Sequence, residues 1–119
     1  MLVVEDEPAL RQLAKMLIEN LGYQVLVAGS GDAALAMIEE QQVRPNLLIT
    51  DVVMPGMSGR ILVERVRRTL PTLEVIYMSG YTDDAMTRHG ILESRVNFLQ
   101  KPFSMVNLAA KIKSVLGHN

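Results

Sequence analysis

The 119 residues contain no cysteine and no tryptophan, only two phenylalanines and three tyrosines, and no excess of either charge: 12 Lys and Arg stand against 13 Asp and Glu, for a net charge of −1. Each absence removes a class. Without cysteine there are no disulfides, thiolate zinc sites or cysteine nucleophiles, which agrees with a reducing compartment. Without a basic excess, nothing advertises a nucleic-acid surface. No apolar run approaches the ~20 residues needed to cross a bilayer, and no basic, apolar, small-residue segment marks a signal peptide. A cytoplasmic chain with no membrane contact is expected. Its length fits one domain over residues 1–119, with a radius of gyration of about 13 Å and enough core to fold without staples.

Short apolar runs alternate with helical patterns. Leu2-Val3-Val4 precedes the Glu5-Asp6-Glu7-Pro8 break, and Leu10, Leu13, Ala14, Leu17, Ile18 and Leu21 then recur at helical spacing until Gly22 stops them. A second strand is predicted over residues 24–28 and a second helix over 32–41. A third strand is predicted over 47–50, followed by a helix carrying Ile61, Leu62, Val66 and Leu70. Residues 75–78 and 96–99 read as the fourth and fifth strands. A short, weaker helix is expected from Thr82 to about His89, and a final helix carries Leu108, Ala109, Ile112, Val115 and Leu116. Strands apolar on both faces, alternating with amphipathic helices, imply a parallel sheet covered on both sides. The expected fold is therefore α/β, a doubly wound five-stranded parallel sheet with five helices in three layers.

In open parallel sheets ligands bind beyond the carboxyl ends of the strands. There the first strand ends in Glu5-Asp6, the third in Asp51 and the fourth in Ser79, and Lys101-Pro102 follows the fifth. Two carboxylates ~5 Å apart repel by about 3 kcal/mol at an effective dielectric of 20. A hard divalent cation offsets that repulsion, and Mg²⁺ takes one or two carboxylates while leaving room for phosphate.

These residues carry a family resemblance. Val3-Val4-Glu5-Asp6-Glu7, the run from Leu48 through Asp51-Val52-Val53-Met54-Pro55-Gly56-Met57-Ser58-Gly59, Met78-Ser79-Gly80-Tyr81 and Lys101-Pro102-Phe103 together resemble the receiver domain of two-component response regulators. The resemblance covers nearly the whole chain, in family order. It implies the flavodoxin-like strand order 2-1-3-4-5 and makes Asp51 the phosphoacceptor that attacks a phosphohistidine. Asp6 and Asp51 are then expected to bind Mg²⁺ (or Mn²⁺) directly, with Glu5 through water and the main-chain carbonyl of Val53 as a further ligand. Glu at position 5 departs from the commoner Asp and lengthens the reach. Lys101 is expected to pair with Asp51 and then with phosphoryl oxygens, and Ser79 to donate its hydroxyl to one of them.

The resemblance also implies a switch in which Ser79 moves toward the phosphoryl group and Phe98 changes burial, and it makes Pro102 a cis-proline. Val53 and Tyr81 occupy positions that tune attack of water on the phosphoryl group. The implied output surface comprises the expected fourth helix, the fifth strand and the last helix, with homodimerisation there left open. The expected partner is a histidine kinase or a histidine phosphotransfer domain, docking on the first helix, where Leu10, Leu13, Ala14 and Leu17 are candidates. The wording around Asp51, Ser79 and Lys101 is most similar to the C-terminal receivers of hybrid sensor histidine kinases. A chain cut from such a protein at domain limits is expected, with a stand-alone single-domain regulator as the alternative. The isolated domain is no enzyme beyond self-catalysed phosphoryl acceptance and autodephosphorylation, whereas the full hybrid chain would be a histidine kinase.

Rival readings are weaker. Gly29-Ser30-Gly31-Asp32-Ala33-Ala34 fits G-x-G-x-x-A after a strand, the dinucleotide fingerprint. It follows the second strand, however, and Asp32 would oppose a pyrophosphate at the helix N-terminus. The plainer reading is a turn with Ser30 or Asp32 as N-cap. An aspartyl phosphohydrolase would lack the second Asp that many carry two residues on, where Val53 stands. A degenerate receiver that only binds leaves the complete set of chemical residues unexplained. His89 and His118 flank no ligand cluster, and Arg65, Arg67 and Arg68 read as a solvated helix face.

Overall fold

The computed structural model describes residues 1–80, 97–101 and 103–117. Five strands, β1 (Leu2–Val4), β2 (Leu26–Ala28), β3 (Leu47–Asp51), β4 (Glu74–Ser79) and β5 (Phe98–Gln100), form one sheet. All neighbours are parallel and the order is β2-β1-β3-β4-β5. Four helices cover it among the described residues: α1 (Pro8–Asn20), α2 (Gly31–Glu39), α3 (Gly59–Thr69) and α4 (Met105–Leu116). The expectation of five helices is thus corrected to four. The fifth, from Thr82 to about His89, lies outside the described residues, as do Tyr81, Pro102, His89 and His118. The described helices are well signalled in the sequence. The four helices have a proline at their first position or a serine cap plus an apolar stripe, whereas 82–89 offers only Ala85 and Met86 as apolar residues.

The period-two alternation of the strands sorts the core into two layers. Leu2, Val4, Leu48, Val75 and Tyr77 pack with Ala34 and Ile38 of α2 and Leu62, Val63 and Val66 of α3. Val3, Leu47, Ile49, Ile76, Met78 and Leu99 face Ala14 and Ile18 of α1 and Leu108 and Ile112 of α4. Burial on both faces explains why these strands read as continuous apolar runs.

Helix ends follow local chemistry. Pro8 opens α1, where a missing N–H costs nothing, and Gly22 just past its end takes φ +98°. Ser30, Ser58 and Ser104 cap α2, α3 and α4 by accepting from the N–H groups of Ala33, Ile61 and Asn107. Ser30, not Asp32, is therefore the cap of the glycine-rich turn. Among the described residues no helix is long and apolar enough to cross a membrane.

Gly59 fixes how α3 meets the sheet. Its N–H donates to Val52 O at 3.0 Å, and a Cβ there would stand 2.0 Å from the main-chain oxygen of Asp51. That overlap is with rigid backbone. Gly59→Ala is expected to lower the melting temperature by roughly 10 °C, read by circular dichroism. A shift under about 3 °C would show that this approach is not a constraint.

Candidate functional site

Parallel register brings the acidic residues together. Val4 of β1 stands opposite Thr50 of β3, so the chains leave the sheet side by side at Glu5 and Asp51. Both are 2% exposed and Ser79 is 3% exposed; Asp6 points to the exposed side of the rim. Glu5, Asp6 and Asp51 each offer a carboxylate oxygen lying within 4.8 Å of the others. This is an acidic cluster of the kind that holds a metal ion.

Lys101, directly after β5, reaches across the sheet end. Its Nζ is 2.5 Å from Glu5 Oε1 and pairs with Asp51 Oδ1, while its main-chain N–H donates to Ser79 O at 2.9 Å. Glu5 Oε2 accepts from the Glu7 N–H at 3.1 Å. Asp51 is less well provided: among the described residues neither of its buried oxygens accepts an aligned hydrogen bond. Buried carboxylate oxygens in that condition cost free energy.

The titration behaviour follows. Burial, and then the neighbouring Glu5 carboxyl, push Asp51 up to about 8 against the pull of Lys101. Burial pushes Glu5 up as well, but the Asp51 carboxyl, the Lys101 ammonium and the Glu7 N–H outweigh it and hold Glu5 down at about 2. Burial lowers Lys101, yet its contacts with Asp51 and Glu5 leave it above its ordinary value. One ammonium between two carboxylates leaves the site short of positive charge, and a proton on Asp51 makes up the deficit.

Other expected residues fall as follows. Val53, in the turn after β3, is 38% exposed at the rim. Phe98 lies beside Tyr77 across the β4–β5 pair and is partly buried against the α2 and α3 side of the core. Of the docking candidates on α1, Leu13 is exposed, Leu10 and Leu17 are half-buried, and Ala14 is buried. Sequence reasoning quoted Gly59 within a motif without giving it a role, and it missed Arg11, whose Nη1 donates to Glu5 O at 2.9 Å. A glycine directly after a capping serine was the available signal for the first.

The chain matches the model of the response regulator receiver domain family over residues 1–113, and it belongs to that family. It is 39% identical over 115 residues to the sensor kinase CckA of Brucella abortus, a match covering 97% of this chain and 12% of that protein. It is 32% identical over 116 residues to the transcriptional regulatory protein AfsQ1 of Streptomyces coelicolor, covering 98% of this chain and 50% of the other. Among solved structures, the receiver domain of the hybrid histidine kinase CckA superposes with a TM-score of 0.80 at 40% identity, covering 97% of this chain and 96% of that one. The Vibrio cholerae chemotaxis protein CheY4 superposes with a TM-score of 0.84 at 28% identity, covering 96% and 95%. The chain thus spans half or less of these two curated relatives.

The Asp51 shift fixes a stability prediction. An aspartate raised from 3.8 to about 8 binds more protons folded than unfolded across that window. Its contribution is complete below the lower value and is lost as pH rises through the upper one. In metal-free buffer the melting temperature is expected to fall from pH 5 to pH 8. The Asp51→Asn variant should show a flatter profile and a melting temperature about 5 °C higher at pH 8. Parallel profiles in differential scanning calorimetry would contradict the assignment.

Proposed function

We propose that residues 1–119 form one receiver domain, a phosphoacceptor signalling module, with Asp51 receiving a phosphoryl group from a phosphohistidine on a histidine kinase or histidine phosphotransfer domain. The observation that carries this reading is the buried Asp51 carboxylate, without aligned hydrogen bonds, beside Lys101 and within 4.8 Å of Glu5 and Asp6.

The donor set fits a hard divalent cation, Mg²⁺ or Mn²⁺, because all three side chains offer carboxylate oxygens and the Asp51 oxygens have unused acceptor capacity. Asp6 and Asp51 would hold it, with Glu5 through water and the carbonyl of Val53 as a further ligand. Bound there, it supplies the positive charge that keeps Asp51 ionised and neutralises phosphoryl oxygens. An Asp51 oxygen forms the bond to phosphorus as the phosphorus–nitrogen bond breaks, and the electron pair leaves with the imidazole. Lys101 offers its ammonium to the transferred oxygens, and Ser79 its hydroxyl. Ser79 and Phe98 then form the switch, which acts on the surface at β5 and α4.

The relative CckA is a sensor kinase matched over 12% of its length, which supports a hybrid histidine kinase as the source protein, with the domain in its cytoplasmic part. In that setting the kinase activity belongs to the rest of the chain.

Mass spectrometry after treatment with Mg²⁺ and a small phosphodonor, or with beryllofluoride, is expected to show a Mg²⁺-dependent adduct that Asp51→Asn abolishes. No adduct on the parent would favour a domain that only binds. At the two positions that tune attack of water in the family this chain resembles, the apolar Val53 offers no group to position a water and the sequence carries the bulky Tyr81. In a dephosphorylation time course Val53→Asn and Tyr81→Ala are therefore expected to shorten the phosphoryl lifetime, and unchanged lifetimes in both would overturn that assignment.

A further inference from the structure

Glu5 is constrained on every side. Its N–H donates to Ala28 O at 3.1 Å, its carboxylate meets the Glu7 N–H and Lys101, and its main-chain oxygen accepts from Arg11 Nη1 at 2.9 Å. The last bond acts on the next residue. The oxygen of Glu5 and the N–H and Cα of Asp6 share one peptide plane, so holding that oxygen sets the direction in which Asp6 leaves β1. Asp6 is exposed, and packing around its side chain does little to hold it.

Arg11 reaches this oxygen over Gly29. A Cβ at position 29 would lie 2.9 Å from Arg11 Nη1 and 3.6 Å from its Cζ, just as a Cβ on Gly31 would meet the Met57 side chain at 3.0 Å. The glycines of the G-x-G-x-x-A turn thus leave room for neighbouring side chains of the rim. Arg11 also stands on the same loop through its own N–H, which donates to Glu7 O at 2.9 Å.

We propose that Arg11 is a positioning residue of the metal site: through the main-chain oxygen of Glu5, and in the clearance left by Gly29, it holds Asp6 in place as a ligand. The inference rests on the reading of the rim as a divalent-cation site. Three roles for Arg11 give different results. A positioning guanidinium strengthens cation binding, one that acts by charge alone opposes it, and a merely structural one alters stability without altering affinity.

Calorimetric titration of the 119-residue chain with Mg²⁺, alongside melting temperatures, separates them. Arg11→Met is expected to weaken binding about tenfold. Gly29→Ala, which displaces only the tip of a flexible side chain, is expected to weaken it about threefold with the melting temperature little changed, and to add nothing in the Arg11→Met background. Should Arg11→Met fail to fold, Gly29→Ala alone decides. Binding by the variants as tight as or tighter than that of the parent, or losses that simply add, would overturn the proposal. A parent that binds no Mg²⁺ saturably overturns the cation reading itself, and the proposal with it.

Discussion

One ammonium shared by two buried carboxylates organises this molecule. The central position of β1 and β3 in the sheet forces Glu5 and Asp51 side by side, and burial removes the water that would screen them. Lys101 answers from the far side of β4, with its main chain tied to Ser79 and its amine on both carboxylates. A single positive charge cannot neutralise two negative ones. The site therefore takes up either a proton, as the raised Asp51 describes, or a further cation. The same shortage of positive charge favours a proton or a cation at the rim.

How much of this is legible in sequence depends on what each feature requires. Apolar runs such as Leu47-Leu48-Ile49 announce a sheet buried on both faces, and the loop Glu5-Asp6-Glu7-Pro8 marks a strand end by its polarity, so the layers and the rim were readable. The order of the strands was not, since any permutation of parallel strands produces the same runs; it came from the family resemblance. Four helices are found among the described residues where five were expected, and the weakest expected one, over residues 82–89, lies outside them. Gly59 was quoted as part of a motif, but the 2.0 Å approach that demands it exists only once α3 is packed on β3. The glycine-rich turn, a nucleotide fingerprint on paper but read as a capped turn, is capped by Ser30 and leaves room in space for Arg11 and Met57.

Charge balance also limits when Asp51 can act. A carboxyl that burial keeps protonated up to about 8 is a poor nucleophile at neutral pH, because attack needs the ionised oxygen. Positive charge at the rim would lower that barrier by restoring the anion, so the proposed phosphoryl acceptance and cation binding at the acidic cluster would be linked electrostatically. On the proposed reading, transfer to Asp51 would place about two negative charges in a site where Lys101 is divided between Glu5 and Asp51. Lys101 would be drawn toward that charge, and its main-chain N–H, which donates to Ser79 O, ties it to the end of β4. Phe98, partly buried on β5 beside Tyr77, lies on the strand that leads directly into Lys101. Glu5 also accepts a hydrogen bond from the Glu7 N–H, a contact that does not involve Lys101. That bond would anchor the loop carrying Asp6 whatever the charge on Asp51.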